Sequence, residues 1–226
     1  MNIEQTVALE RRVASYAALA DSTRLRVVDL LALGDAASSE LASRLGVASN
    51  LLAHHLKILE SADIVERRRS EGDGRRGYWR LRPDAAPTID SPSLPAPGRV
   101  VFVCTANTAR SHLAAALWRR ASRVPATSAG THPAARIAAG ARAAARRHRL
   151  DLPDLAPRHL DDLAPGDADL VVTVCDRAHE ELGPRSQLHW SVPDPVASGT
   201  RAAFDRAVDE LGRRVSHLAP LVPRAS

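Results

Sequence analysis

Residues 100–120, VVFVCTANTARSHLAAALWRR, constrain the fold more than any other stretch. The run opens with four apolar, mostly β-branched residues, the mark of a buried strand. Cys104 ends that strand, Arg110 follows six residues later, and an alanine- and leucine-rich helix begins at Ser111. Strand, tight loop and helix together make an anion site: loop N–H groups converge on one point, and the helix N-terminus adds partial positive charge. A thiol at that point is favoured as thiolate. Arg110 can grip two oxygens of a tetrahedral oxyanion with its planar fork. Cys104 is therefore the candidate nucleophile, and Thr105, Ala106, Asn107, Thr108, Ala109 and Ser111 the candidate oxyanion-binding residues. A bare C-x5-R, by contrast, reads as a buried cysteine and a solvated arginine; the strand before it and the helix after it favour the site.

The chain has 226 residues, 45% of them hydrophobic, enough for one large or two small domains. Lys57 is the single lysine, so nearly all of the basic charge, +5 net, is arginine. That balance permits an acidic partner such as nucleic acid without requiring one. Two cysteines, Cys104 and Cys175, are too few for a disulfide framework and suit a reducing cytosol. The opening MNIEQTVALERR lacks a signal-peptide core, and no apolar run approaches membrane-spanning length. The expectation is a soluble cytoplasmic protein with no membrane contact.

Residues 3–33 carry helical periodicity broken near Asp21 and Ser22, either of which can cap the next helix. A short helix starts at Ser38-Ser39-Glu40, with Leu41 and Leu45 inward, and stops at Gly46. Ser49 is expected to cap a second helix, residues 50–61, with Leu52, Leu56 and Leu59 inward. Two short helices joined at a glycine form a helix-turn-helix pattern, whose outward face is expected to carry Asn50, His54, His55 and Lys57. The two histidines are adjacent, about 100° apart on a helix, which suits no metal chelate, and no metal site is expected. Residues 64–81 read as a two-stranded hairpin with a tip at 70–74. Residues 67–82 hold seven arginines, Arg75 and Arg76 among them, against Glu71 and Asp73. That excess of five positive charges marks the expected contact with DNA phosphates.

The stretches ALADSTRLRVVDLL, ELASRLGVASNLLAHHLKILESADIVERRR and GYWRL resemble the arsenic-repressor (ArsR) family of winged helix-turn-helix regulators. The resemblance implies double-stranded DNA as partner, through Ser49, Asn50, His54, His55, Lys57, Arg75 and Arg76, and an arsenic-responsive regulator. Many members sense soft metals through cysteines in the first helix of the turn motif. Here that stretch, ALGDAASSELASRLG, has none, and no cysteine precedes Cys104, so a thiolate metal site in this part is excluded. Members also dimerise through the first helix and one after the wing. A homodimer is the expectation, although Pro83 and a proline-rich stretch stand where that last helix would be.

Residues 83–98, rich in Pro, Ser and Ala, read as a semi-rigid linker between a first domain, 1–82, and a second, 99–226. In the second domain, ATSAGTHP reads as a strand and turn and residues 137–150 as a basic helix. LVVTV (170–174), ending at Cys175, and LHWSV (188–192) read as further strands. Residues 200–218 form a closing helix with Phe204, Val208, Leu211, Val215 and Leu218 on one face. Strands alternating with helices imply an α/β, doubly wound parallel sheet, with ligands bound outside the carboxyl ends of its strands. Cys104, Cys175 and Asp194 all fall at such ends. Asp194 is a candidate general acid, or a simple Asp-Pro turn. Cys175 reads as a buried small hydrophobe, and Asp176 and His179 as surface residues of the following helix.

VVFVCTANTARS, SAGTHP, TVCDRAHEEL and SVPDPVASGT resemble the low-molecular-weight tyrosine phosphatases and the arsenate reductases that share their fold. The resemblance implies that Asn107 shapes the loop, that Ser111 hydrogen-bonds the Cys104 thiolate, and that Cys175 stands at the position of a second thiol. Ala109 replaces a second loop cysteine of many members. The third cysteine of thioredoxin-coupled reductases is absent, Leu182 lying in that region, and Val196 and Ala197 stand where tyrosine phosphatases place an aromatic. The expected activity is thiol-dependent arsenate reduction by Cys104, Arg110, Asp194 and Cys175. It needs no bound cofactor but an external reductant, a thioredoxin-like protein or a low-molecular-weight thiol. Phosphoester hydrolysis, or a non-catalytic domain that senses an arsenate or phosphate oxyanion, are the alternatives.

Overall fold

The computed structural model describes residues 3–82 and 94–223, which fall into two compact units. The first holds α1 (Ile3–Leu19), α2 (Ser22–Leu33), β1 (Ala36–Ala37), α3 (Ser38–Leu45), α4 (Ser49–Ser61), β2 (Val65–Arg69) and β3 (Gly77–Leu81). Asp21, not Ser22, caps α2: its carboxylate accepts the Arg24 N–H at 2.9 Å. Gly46 ends α3 at φ +66°, where a side chain would be strained, and its N–H reaches back to the Ala42 and Ser43 carbonyls. Ser49 does not cap α4. It is the first helical residue, and Ala48 takes the cap position with no side-chain bond. Val27, Val28, Leu31, Leu41, Leu52, Leu56, Leu59 and Ile64 form the core. The three strands pair antiparallel in the order β1-β3-β2, with Arg67 opposite Trp79, and the Trp79 indole N–H donates to Ser38 Oγ at 3.0 Å. This is a winged helix-turn-helix.

The second unit holds β4 (Arg99–Cys104), α5 (Arg110–Ala121), β5 (Ala126–Gly130), α6 (Ala139–Arg147), β6 (Asp169–Thr173), α7 (Asp176–Leu182), β7 (Leu188–His189), α8 (Pro195–Ser198) and α9 (Arg201–Leu218). Its four strands are parallel in the order β5-β4-β6-β7. The central β4 is buried from Val100 to Cys104, as expected of a strand covered on both faces. Phe102 packs against Trp118 of α5 and Trp190, ring centroids 5.9 and 5.6 Å apart. Phe204, Val208, Leu211, Val215 and Leu218 of α9 are all buried.

Three sequence expectations change in extent. The basic helix is Ala139–Arg147, shorter than residues 137–150, and turns out through Arg149 at φ +54°. The strand expected at 188–192 pairs only over Leu188–His189. After Trp190 donates its N–H to the Thr173 carbonyl, Val192 bonds back to Trp190 O and the chain leaves the sheet. Asp176 and His179 are buried, not on the surface. The His179 and His189 rings stack 4.2 Å apart, and His189 Nε2 lies 3.1 Å from Asp176 Oδ1. Burial alone would push the Asp176 carboxyl up, but hydrogen bonds from His189 and Ser191 hold it below the usual carboxylate range. The expected absence of a helix after the wing concerns residues 83–93, outside those described.

Candidate active site of the second unit

The loop 105–109 leaves β4 and enters α5, and its backbone is fixed from behind. The carbonyls of Cys104, Thr105, Ala106 and Thr108 accept N–H groups of Thr131, His132, Ala134 and Ala138, at 3.2, 2.8, 3.0 and 3.0 Å. In a trans peptide the N–H points opposite to the C=O. Holding those four carbonyls toward 131–138 therefore turns the N–H groups of Thr105, Ala106, Asn107 and Ala109 the other way. Of these residues Thr105, Ala106 and Ala109 line a pocket, together with Cys104, Thr108, Arg110, Cys175, Asp176 and Asp194. An array of N–H groups at a helix start is an oxyanion cradle.

Asn107 is fully buried and left-handed at φ +50°, a conformation that asparagine tolerates better than most residues. Its Nδ2 donates to Ser111 Oγ at 2.8 Å, and its Oδ1 accepts the Arg158 N–H at 3.1 Å. Because the amide can only donate through Nδ2, Ser111 Oγ is the acceptor there, and its own proton is free for Cys104 Sγ, 3.1 Å away. Asn107, Ser111 and Cys104 thus form one buried hydrogen-bonded chain.

Arg110 is nearly buried. Its Nη1 donates to the Val192 carbonyl at 2.8 Å, and its Nη2 lies 3.3 Å from Asp194 Oδ2. Burial works against its charge, but the sulfurs of Cys175 and Cys104 and the Asp194 carboxylate hold the guanidinium protonated, above its ordinary value. Asp194 makes the Asp-Pro turn and also reaches the pocket. Oδ1 caps α8 by accepting the Val196 N–H at 3.0 Å, while Oδ2 faces Arg110 in the pocket. Cys175 is buried, with Thr105 Oγ1 at 3.4 Å. Burial, aided by Cys104, pushes its thiol pKa up, against the pull of Arg110 and the Thr105 hydrogen bond. So Cys104, Arg110, Asp194 and Cys175, widely spaced in sequence, meet in one pocket.

Sequence reasoning gave no role to Gly130 or Arg158. A Cβ on Gly130 would sit 2.5 Å from the Thr105 carbonyl and 3.0 Å from Asn107 N, so only glycine lets β5 close on the loop. Arg158 fixes Asn107 from its backbone and donates Nε to Ser128 O at 3.2 Å. The close approach of Gly130 leaves no trace in a single sequence beyond an isolated glycine at a strand end.

In the first unit, Ser49, Asn50, His54 and Lys57 of α4 are exposed, as are Arg75 and Arg76. His55 is not on that face. It is buried, its Nδ1 3.7 Å from Asp21 Oδ1, because 100° per residue carries position 55 round to the side of Leu52, Leu56 and Leu59. The basic excess of the hairpin is also smaller than its count. Arg80 is buried against Glu66, and Arg82 pairs with Asp63 at 3.0 Å.

A parallel β-sheet presenting a C-x5-R loop at its carboxyl edge defines a domain of the low-molecular-weight phosphatase type. The family model of the low molecular weight phosphotyrosine protein phosphatases matches residues 99–225, more than half of the chain, and the chain belongs to that family. A helix-turn-helix domain model matches residues 19–68 of the amino-terminal winged helix-turn-helix unit. The transcriptional repressor SdpR of Bacillus subtilis (strain 168) is 32% identical over 64 residues, 28% of this chain and 64% of that protein. The chain thus spans less than two thirds of the length of the curated relative it matches. Among solved structures, an arsenate reductase from Archaeoglobus fulgidus DSM 4304 is 28% identical, with 54% of this chain and 99% of that chain covered and a TM-score of 0.46. The YwlE arginine phosphatase from Geobacillus stearothermophilus is 24% identical, with 55% and 92% covered and a TM-score of 0.48. A homodimeric winged helix-turn-helix domain from Mycobacterium bovis, a possible ArsR-family regulator, is 31% identical, with 36% and 72% covered and a TM-score of 0.33.

Proposed function

We propose that the second unit is a thiol-dependent arsenate reductase, and that the first binds double-stranded DNA as an arsenic-responsive transcriptional regulator. The observation that carries the reductase reading is that two thiols, Cys104 and Cys175, line a single oxyanion pocket. Arsenate binds the N–H cradle and Arg110. The Cys104 thiolate attacks arsenic, an As–S bond forms, and one arsenate oxygen leaves as water. Cys175, as thiolate, then attacks the sulfur of Cys104. The S–S bond forms, the S–As bond breaks, and its electron pair stays on arsenic, which departs as arsenite. An external thiol reductant, a thioredoxin-like protein or a low-molecular-weight thiol, restores both cysteines. No cofactor is bound in this scheme.

Hydrolysis of small phosphate esters is the second reading, favoured by Asp194 beside Arg110, where it can protonate a leaving oxygen and then assist water. Cys175→Ser separates the two. Steady-state assays of the variant should show arsenate turnover with a thioredoxin-type reductant lowered about 100-fold or more, and ester hydrolysis within a few-fold of wild type. Full-rate arsenate reduction by the variant with a small thiol would make that thiol the resolving group and Cys175 structural.

On the DNA side, Asn50, His54 and Lys57 are assigned to the major groove and Arg75 and Arg76 to phosphates. The partner for α1 is a second copy of the chain: Leu9, Val13 and Tyr16, exposed at i, i+4 and i+7, form an apolar stripe, and a twofold dimer places two recognition helices on successive turns of DNA. No described helix is long and apolar enough to cross a membrane. Two free thiols in working order fit a reducing cytoplasm.

A further inference from the structure

Charge is distributed very unevenly over residues 94–223. The stretch 110–150 holds nine arginines and no Asp or Glu, while 94–109 and 151–223 together hold eight arginines against thirteen carboxylates. Arg110 belongs to the pocket. Arg142 and Arg147 are neutralised by Asp154 and Asp205, and Arg119 lies close to Asp151. Arg120, Arg123, Arg146 and Arg149 are exposed, and among the described residues no carboxylate lies within ion-pair distance of them.

These four collect where the carboxyl ends of α5 and α6 are tied together. Arg120 Nη1 donates to the His148 carbonyl at 3.2 Å, and Arg119 Nη2 to the Asp151 carbonyl at 3.1 Å. Helix C-termini favour cations, which accounts for Arg120 and Arg146 in the last turns of α5 and α6. It does not account for Arg123 and Arg149, which lie beyond the helix ends. Arg149 holds φ +54°, with Leu150 N–H bonded to Ala145 O at 2.8 Å, the turn in which glycine costs least. An arginine stands there instead, adding charge to the cluster.

We propose that this end of the second unit is a contact for the phosphate backbone of duplex DNA. The proposal rests on the DNA-binding reading of the first unit, which makes duplex DNA the polyanion this chain already holds. Guanidinium forks match phosphate oxygens without reading bases. No Trp, Tyr or Phe is exposed among residues 94–223, so the surface has no platform for unpaired bases and no aromatic anchor for a lipid headgroup layer.

The test uses the full chain, a duplex of arbitrary sequence, and the slope of log K against log salt concentration by fluorescence anisotropy. Arg120→Gln, Arg123→Gln, Arg146→Gln and Arg149→Gln combined should reduce the slope by about 2 to 3 and weaken binding to all sequences alike. Phosphate affinity at the pocket should be unchanged, which reports an intact fold. Arg75→Ala with Arg76→Ala is the companion variant, expected to lower the slope independently by about 1 to 2. If only the companion lowers the slope, the DNA reading stands and the proposal is overturned. If the wild type binds no duplex, both fall. A quadruple variant unchanged on duplex but weakened on single-stranded RNA or anionic vesicles would also overturn it, in favour of that partner.

Discussion

Replacing Cys104 by Ser should lower arsenate reduction and phosphate-ester hydrolysis by about four orders of magnitude or more, while oxyanion binding survives. A serine hydroxyl is a far weaker nucleophile than a thiolate at neutral pH, and the change in volume is small. The cradle is made by backbone N–H groups whose orientation is fixed by carbonyl bonds to 131–138, and none of those bonds involves the Cys104 side chain. The serine hydroxyl is uncharged at neutral pH, so nothing at that position repels a phosphate or arsenate anion. Calorimetric titration with inorganic phosphate should therefore give an affinity equal to or tighter than that of the wild type. Arg110→Lys should do the reverse for binding, since an ammonium cannot reproduce the two-pronged contact. Turnover of Cys104→Ser within tenfold of wild type would place the nucleophile elsewhere.

The parts of this site that a sequence can show are those that are local along the chain. The Cys104 to Arg110 spacing, the apolar strand before it and the helix after it specify a loop within a dozen residues, and the structure builds that loop as expected. Asp21 and Gly46 act as helix boundaries because capping is also local. The meeting of Cys175 and Asp194 with Cys104 depends instead on β4, β6 and β7 being parallel neighbours, which alternating strands and helices imply as a class. What remained hidden turns on which face a short helix buries. Asp176 and His179 look like surface residues because α7 is a mostly polar seven-residue segment, DRAHEEL, which buries them beside Ala178 and Leu182, where His179 meets Thr173 and Ser186 and Asp176 meets His189. A buried polar network has no hydrophobic periodicity to betray it. His55 was misplaced for a related reason: its ring is polar, but its helical phase belongs to the core.

Acidification should destabilise the second unit through His112, the residue that follows Ser111 in the first turn of α5. Its ring is buried, with Nδ1 3.2 Å from Ser128 Oγ and no hydrogen-bond partner for Nε2. Burial, with Arg158, Arg119 and Arg142 nearby, lowers its pKa to about 4, against a backbone contact with Asn107 that favours the charged ring. The unfolded chain binds this proton near pH 6.5 and the folded protein only near pH 4, so the unfolded state carries more protons throughout that window. Stability from this residue is therefore fully present above about pH 6.5 and drains away as pH falls towards 4. The loss amounts to about 2 kcal/mol by pH 5 and about 3 kcal/mol by pH 4. Because the ring lies against Asn107, which orients Ser111 toward Cys104, the proton also places a cation directly behind the oxyanion loop. Urea unfolding of the full chain at pH 7, 6, 5 and 4, followed by tryptophan fluorescence from the buried Trp118 and Trp190, reads this directly. His112→Gln keeps a polar side chain in the cavity but cannot be protonated, and its stability should change less over this range, by about the same 3 kcal/mol. Parallel pH profiles for wild type and His112→Gln would show that some other group governs acid stability.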